Sequence, residues 1–166
     1  DAPAGTFVVG IEGLADALSV ASYAAANNFA IAIANPDGSI AKSDLVGKTT
    51  YIVGGKTRVK DINGVQRFAG NDRFATNAKV AEELSFKFDN IYVANGATLV
   101  DALSVAPLAA KKNSFVLLCS TTKVTPVKGI TEATKVIAVG GSTVVPNGII
   151  NRIVPTEDGT NVKVSV

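Results

Sequence analysis

Asp16-Ala17-Leu18-Ser19-Val20-Ala21 recurs in this chain as Asp101-Ala102-Leu103-Ser104-Val105-Ala106. The second copy starts 85 residues after the first, at 101 instead of 16. That interval is too long for a solenoid repeat and suits a small α/β block, so the chain reads as two copies of one supersecondary unit. Around the first copy, 6–9 is β-rich, Gly10 and Gly13 follow, and 14–26 is Ala-rich and helix-favouring. Strand, tight loop and helix therefore succeed one another. Asn27 and Asn28 end the helix, and 29–33 is a continuous apolar run of the kind expected for a parallel strand covered on both faces. Asn35-Pro36-Asp37-Gly38 is a turn, and 49–53 is a third strand closed by Gly54-Gly55.

The second copy repeats the pattern, with a strand at 91–94, a loop at Asn95-Gly96, a helix over 101–110, a buried strand at 115–119, and a strand at 135–139 closed by Gly140-Gly141. Strands alternating with crossovers predict an α/β fold with a parallel sheet, partly duplicated at an offset of about 85 residues. Pro107 stands where the first copy has Ser22. A mid-helix proline removes a backbone hydrogen bond and costs ~3 kcal/mol, which predicts a break or bend near Ala106.

Between the copies, Arg67-Phe68-Ala69-Gly70-Asn71-Asp72-Arg73 is polar, and the residues after it are helical, with Phe74, Ala78, Ala81 and Leu84 along one side. Asn71 or Asp72 is placed to cap that helix. The same offset carries Arg67 to Arg152, where only the leading arginine matches. The expected division is an incomplete first repeat at 1–66, a nearly complete second at 67–154, and a terminal strand or decayed start of a further repeat at 155–166. Within that last piece, 160–166 alternates like an edge strand.

With 166 residues, 47% hydrophobic, 18% charged and mean hydropathy +0.30, the chain can bury a substantial core. No apolar run approaches the ~20 residues that span a bilayer, so no membrane span is expected. The start at Asp1 and the absence of Met suggest a processed product. A net charge of +2 does not recommend nucleic acid as a partner. Cys119 cannot pair internally and sits in an apolar run, which reads as a buried, inert thiol. No His and no Met leave transition metals and haem without their usual ligands, and no cofactor is expected.

The order Arg67-x-x-Gly70-x-x-Arg73-Phe74-x-Thr76, helix, strand, Asp101-Ala102-Leu103-Ser104-x-Ala106-Pro107-Leu108-Ala109, buried strand, Val139-Gly140-Gly141 resembles the second type of cell-wall-binding repeat of clostridial surface-layer proteins. The resemblance implies parallel-sheet, doubly wound, Toprim-like α/β repeat units that hold secreted proteins non-covalently on an anionic secondary wall polymer, usually as three repeats packed in a trimer-like unit. It also implies an extracellular location, in the cell wall or surface layer.

On that reading Arg67 and Arg73 contact the anionic glycopolymer, because a guanidinium offers a planar donor fork and keeps its charge. Asp72 and the helix it starts would add backbone donors. The competing role for either arginine is an ion pair with Asp101 or Asp72. Asp16 and Asp101 belong to the same ligand-binding set, or simply cap or charge the first turn of their helices. Ser19 and Ser104 lie one turn further along, where a hydroxyl meets a ligand or a facing loop.

Catalysis finds little support. A Ser-His-Asp hydrolase is excluded without His, and no Ser-x-x-Lys occurs at either repeat. Gly54-Gly55-Lys56-Thr57 is only the tail of a P-loop, Gly10-x-x-Gly13 only a fragment of a dinucleotide fingerprint, and a Toprim-like Asp-x-Asp is absent. Few aromatics and no Trp leave charge and hydrogen bonds to recognise any glycan, so binding should weaken in salt. The expected function is a non-catalytic wall anchor. The alternative is a self-assembling subunit of an extracellular layer or filament, a homo-oligomer formed through repeat packing or pairing of the 161–166 edge strand.

Overall fold

The computed structural model describes residues 2–153. Both sheets are built on a central apolar strand. In the first, β1 (Gly5–Val9) is flanked by β2 (Phe29–Ile33) and β3 (Thr49–Val53), with β4 (Gln66–Phe68) beyond, in the order β2-β1-β3-β4. In the second, β5 (Lys87–Asn95) lies between β6 (Ser114–Cys119) and β7 (Lys135–Ala138). All pairings between these strands are parallel. The α/β, parallel-sheet class is as expected. Parallel neighbours require long crossovers; helix α1 (Leu14–Ala26) supplies the one from β1 to β2 and α3 (Val100–Lys111) the one from β5 to β6, while α2 (Arg73–Glu83) links the two sheets and α4 (Asn147–Ile153) closes the described chain.

The aromatic residues are spent on the core. Phe29, Phe7, Tyr51 and Phe68 form a row across the first sheet at centroid spacings of 5.0, 5.5 and 5.0 Å, and Tyr23, Phe86 and Phe115 carry it towards the second. One continuous cluster thus joins Phe7, Val53 and Phe68 to Val93, Leu117 and Ile150. A second cluster sets Ala15 and Leu18 of α1 against Val105 of α3 and Val116 and Leu118 of β6, so α1 packs on the second sheet as well as its own. Cys119 is fully buried at the end of β6, and burial pushes its thiol up to about 11, which leaves it unreactive.

Several expectations need correction. β2 is an edge strand with Ile31 and Ile33 exposed, because no layer of the described chain covers its outer face. Helix α3 runs unbroken through Pro107. Leu103 and Pro107 both lie on the exposed side of α3, where solvent can take the carbonyl that loses its donor. β4 and α4 were not anticipated. Asn27 and Asn28 do end α1, with Asn28 in the left-handed region at φ 55°, and Asn113 ends α3 in the same way at φ 48°. The expected strand at 160–166 lies outside the described residues. Among those residues, no helix is long and apolar enough to cross a membrane.

Candidate functional site

The carboxyl ends of β1, β3 and β4 meet the amino ends of α1 and α2, the usual place for a ligand on a parallel sheet. Three loops enclose a cleft of about 290 Å³ there. The first, 10–13, is closed by Gly13 N–H on Gly10 O at 2.8 Å. The second leaves β3 through Gly54, whose φ of +103° suits glycine, and whose missing Cβ would lie 2.4 Å from Asp16 Oδ2. The third carries Gly70, whose N–H donates to Thr76 Oγ1 at 3.0 Å; an added Cβ there would lie 2.4 Å from that of Ala75. Both glycines of the sequence motifs are therefore present because neighbouring groups come too close for a side chain.

The cleft carries charges of both signs. Asp16, in the first turn of α1, is buried on its floor, and burial raises its pKa despite the pull of Arg58 and Arg73. Arg58 pairs with Glu12 at 3.1 Å, an exposed contact of little energetic weight that a ligand can displace. Arg73 donates to Gly96 O at 2.6 Å, linking α2 to the β5–α3 loop. Asp72 caps α2 by accepting from Ala75 N–H at 2.8 Å. It also pairs with Lys123, and these two contacts hold its carboxyl below the usual range.

The structure brings Asp16, Asp72 and Arg73 together in the cleft and separates the other expected site residues from it. Arg67 does not line it. Its guanidinium donates to Gly54 O at 2.6 Å and Val59 O at 2.7 Å, and pairs with Asp61 at 3.0 Å. Its ion-pair partner is therefore Asp61, not Asp101 or Asp72. Ser19 is buried between helices, donating to Ala15 O at 2.8 Å and accepting from Asn77 Nδ2 at 3.0 Å, and does not line the cleft. Ser104 is exposed on α3 and donates to Asp101 O at 2.9 Å. Asp101 sits against Gly140 at the end of the second sheet, the counterpart of Asp16 against Gly54. Neither Asp16 nor Asp101 occupies the cap position of its helix.

Arg58, Glu12 and Thr57 were missed. The available signal was positional: Arg58 follows Gly54-Gly55 at the carboxyl end of a parallel strand. Among the described residues, no group of three or more acidic, Cys or His side chains is arranged to hold a metal ion.

A family profile described as cell wall binding domain 2 (CWB2) matches residues 4–62 and 67–150. The chain belongs to the cell wall binding domain 2 family. In this CWB2 chain, 61% of the residues align at 32% identity with the amidase enhancer of Bacillus subtilis, covering 15% of that protein. Another alignment reaches 63% of the chain at 29% identity with N-acetylmuramoyl-L-alanine amidase LytC of the same organism, covering 23% of it. The chain thus spans less than a quarter of either relative's length. Two solved structures share the fold. Cwp8 from Clostridium difficile superposes with a TM-score of 0.76 at 22% identity, over 99% of this chain and 31% of Cwp8. Cwp6 from Clostridium difficile gives 0.68 at 21% identity, over 95% of this chain and 29% of Cwp6.

Proposed function

We propose that this CWB2 chain is a non-catalytic module that anchors an extracellular protein to an anionic cell wall glycopolymer, and that the polymer docks in the cleft between Arg58 and Arg73. The carrying observation is the cleft itself, where two exposed guanidiniums flank a polar hollow at the amino ends of two helices. Guanidiniums, helix ends and glycine-lined loops all favour phosphate or carboxylate. Family membership supplies the wall as the place where such an anion is met. In the test, purified chain is sedimented with Gram-positive walls, either intact or stripped of secondary polymer. Binding to intact walls alone is expected, weakened by roughly ten-fold in the Arg58→Ala, Arg73→Ala variant. Lys111→Ala with Lys112→Ala removes two charges at the opposite end of the sheets and should leave binding unchanged. Equal loss in both variants, or equal binding to stripped walls, would overturn the reading.

The assembly reading is favoured by a separate observation, and it takes 1–66 and 67–154 as two copies of one unit. Leu18 is 4% exposed where α1 covers β6, whereas Leu103, at the same place in the second copy, is 60% exposed. Leu118 of β6 is 0% exposed, and its counterpart Ile33 of β2 is 62% exposed. Each half thus leaves open the face that the other uses at their junction, an interface of head-to-tail type that a second copy or a further repeat can close. Concentration-dependent association in sedimentation velocity is expected, and Leu103→Glu should abolish it without lowering thermal stability. A wild-type chain that stays monomeric at every concentration would remove this reading.

A further inference from the structure

Asp16 is placed where a carboxylate needs a donor and the folded chain does not provide one. The residue is 8% exposed and lines the cleft, yet no hydrogen bond to its carboxylate comes from the described residues. Its oxygens are not sealed in the core but open onto the cleft, so a molecule in the cleft can supply the donor that the fold does not. Gly54 and Gly13 leave the space beside it: a Cβ at either would lie 2.4 or 3.3 Å from Asp16 Oδ2. The charged groups facing Asp16 are Glu12 from its own loop, Arg58 from the loop after β3, and Asp72 and Arg73 from the start of α2.

These surroundings restrict the ligand. A bare phosphate set between Arg58 and Arg73 would bring its oxygens towards the Asp16 carboxylate, which repels them. An ammonium on the ligand would satisfy Asp16 but would lie beside two guanidiniums. A neutral hydroxyl next to the anionic group answers both constraints, since it donates to Asp16 while its neighbour accepts from the arginines. A cleft of about 290 Å³ is also several times larger than a phosphate needs. We propose that Asp16 is a ligand-binding residue that accepts hydrogen bonds from sugar hydroxyls, so that the cleft selects a hydroxyl-bearing glycosyl phosphate or uronate over the bare anion.

This inference rests on the cleft being the polymer site, and it sharpens what that site recognises. The test titrates the chain, observed by amide NMR, with glucose 1-phosphate, mannose 1-phosphate, galacturonate and inorganic phosphate as separate probes. At least one sugar anion should shift the Asp16 and Gly54 signals at roughly one-fifth or less of the phosphate concentration needed for the same effect. Asp16→Asn, which keeps the shape and removes the charge, should abolish that preference. Arg58→Ala with Arg73→Ala should weaken sugar anion and phosphate alike.

A stability measurement separates loss of the ligand contact from loss of the fold. The folded-state pKa of Asp16 lies above its unfolded value, so the folded state holds the extra proton between the two. The contribution of Asp16 to stability therefore falls as pH rises through that window, and at neutral pH its ionised form opposes folding. Asp16→Asn should melt at the same or a higher temperature than wild type at neutral pH, with the advantage shrinking in acid. A folded Asp16→Asn chain that keeps the sugar preference, or a wild type that binds phosphate as well as any sugar anion, overturns the inference. Wall binding that survives either result leaves the anchoring proposal standing. Sugar-anion binding without wall binding does the reverse, and binding of no probe refutes the selection.

Discussion

Asn77→Ala should melt about 6–12 °C below wild type in scanning calorimetry, corresponding to a loss of about 3 kcal/mol. Asn77 is fully buried on α2, and its amide does the work of a missing strand. Strand β6 is the edge of the second sheet. Its outward backbone groups meet the side chain instead: Asn77 Nδ2 donates to Val116 O at 3.0 Å, and Leu118 N–H donates to Asn77 Oδ1 at 2.9 Å. The same Nδ2 donates to Ser19 Oγ on α1, which ties residues 58 positions apart in the chain. Truncation to alanine strands a backbone donor and a backbone acceptor in the core, and both then carry their full desolvation cost. Asn77→Asp is the sharper variant. It still accepts from Leu118 but sets a buried carboxylate against the Val116 carbonyl, so at neutral pH it should be no better than alanine and should improve in acid. A melt of Asn77→Ala within about 2 °C of wild type would show that the edge of β6 is held in some other way.

What the sequence makes legible depends on how local the cause is. The strand-loop-helix order around Asp16 and Asp101, the cap at Asp72 and the asparagines that end α1 each depend on residues within a few positions, and the fold reproduces them. Ser19 and Ser104 mark the limit. They occupy the same place in an identical hexapeptide, yet one is buried against Asn77 and the other faces solvent. Nothing inside the hexapeptide can distinguish them, because the difference is which neighbour lies across the helix. Ile33 and Leu118 differ for the same reason. Arg58 escaped notice because it belongs to no motif, and its place in the cleft comes from a loop path that carries it back over the end of β1. Asn77 looks like an ordinary polar helix residue until the edge of β6 is beside it.

Arg67→Ala should cost about 2–3 kcal/mol and lower the melting temperature by about 5–10 °C, although Arg67 lies outside the cleft. The side chain is 12% exposed, and its two carbonyl acceptors lie at either end of the loop that carries Thr57 and Arg58 into the cleft. Asp61, held below its ordinary pKa by Lys56 and by Arg67, fixes the remaining face of the guanidinium. Three acceptors in different directions suit a planar fork with several donors, which an ammonium cannot replace. Arg67→Lys should therefore recover less than half of the loss. The two roles considered for this residue predict different results. A polymer contact would make Arg67→Ala lose wall binding with an unchanged melt. A positioning role predicts a large loss of stability, accompanied by weaker wall binding because the loop bearing Arg58 is released. Adding Arg67→Ala to a chain already lacking the Arg58 and Arg73 guanidiniums should then lower stability again while changing wall binding little, since the groups that Arg67 positions are already gone.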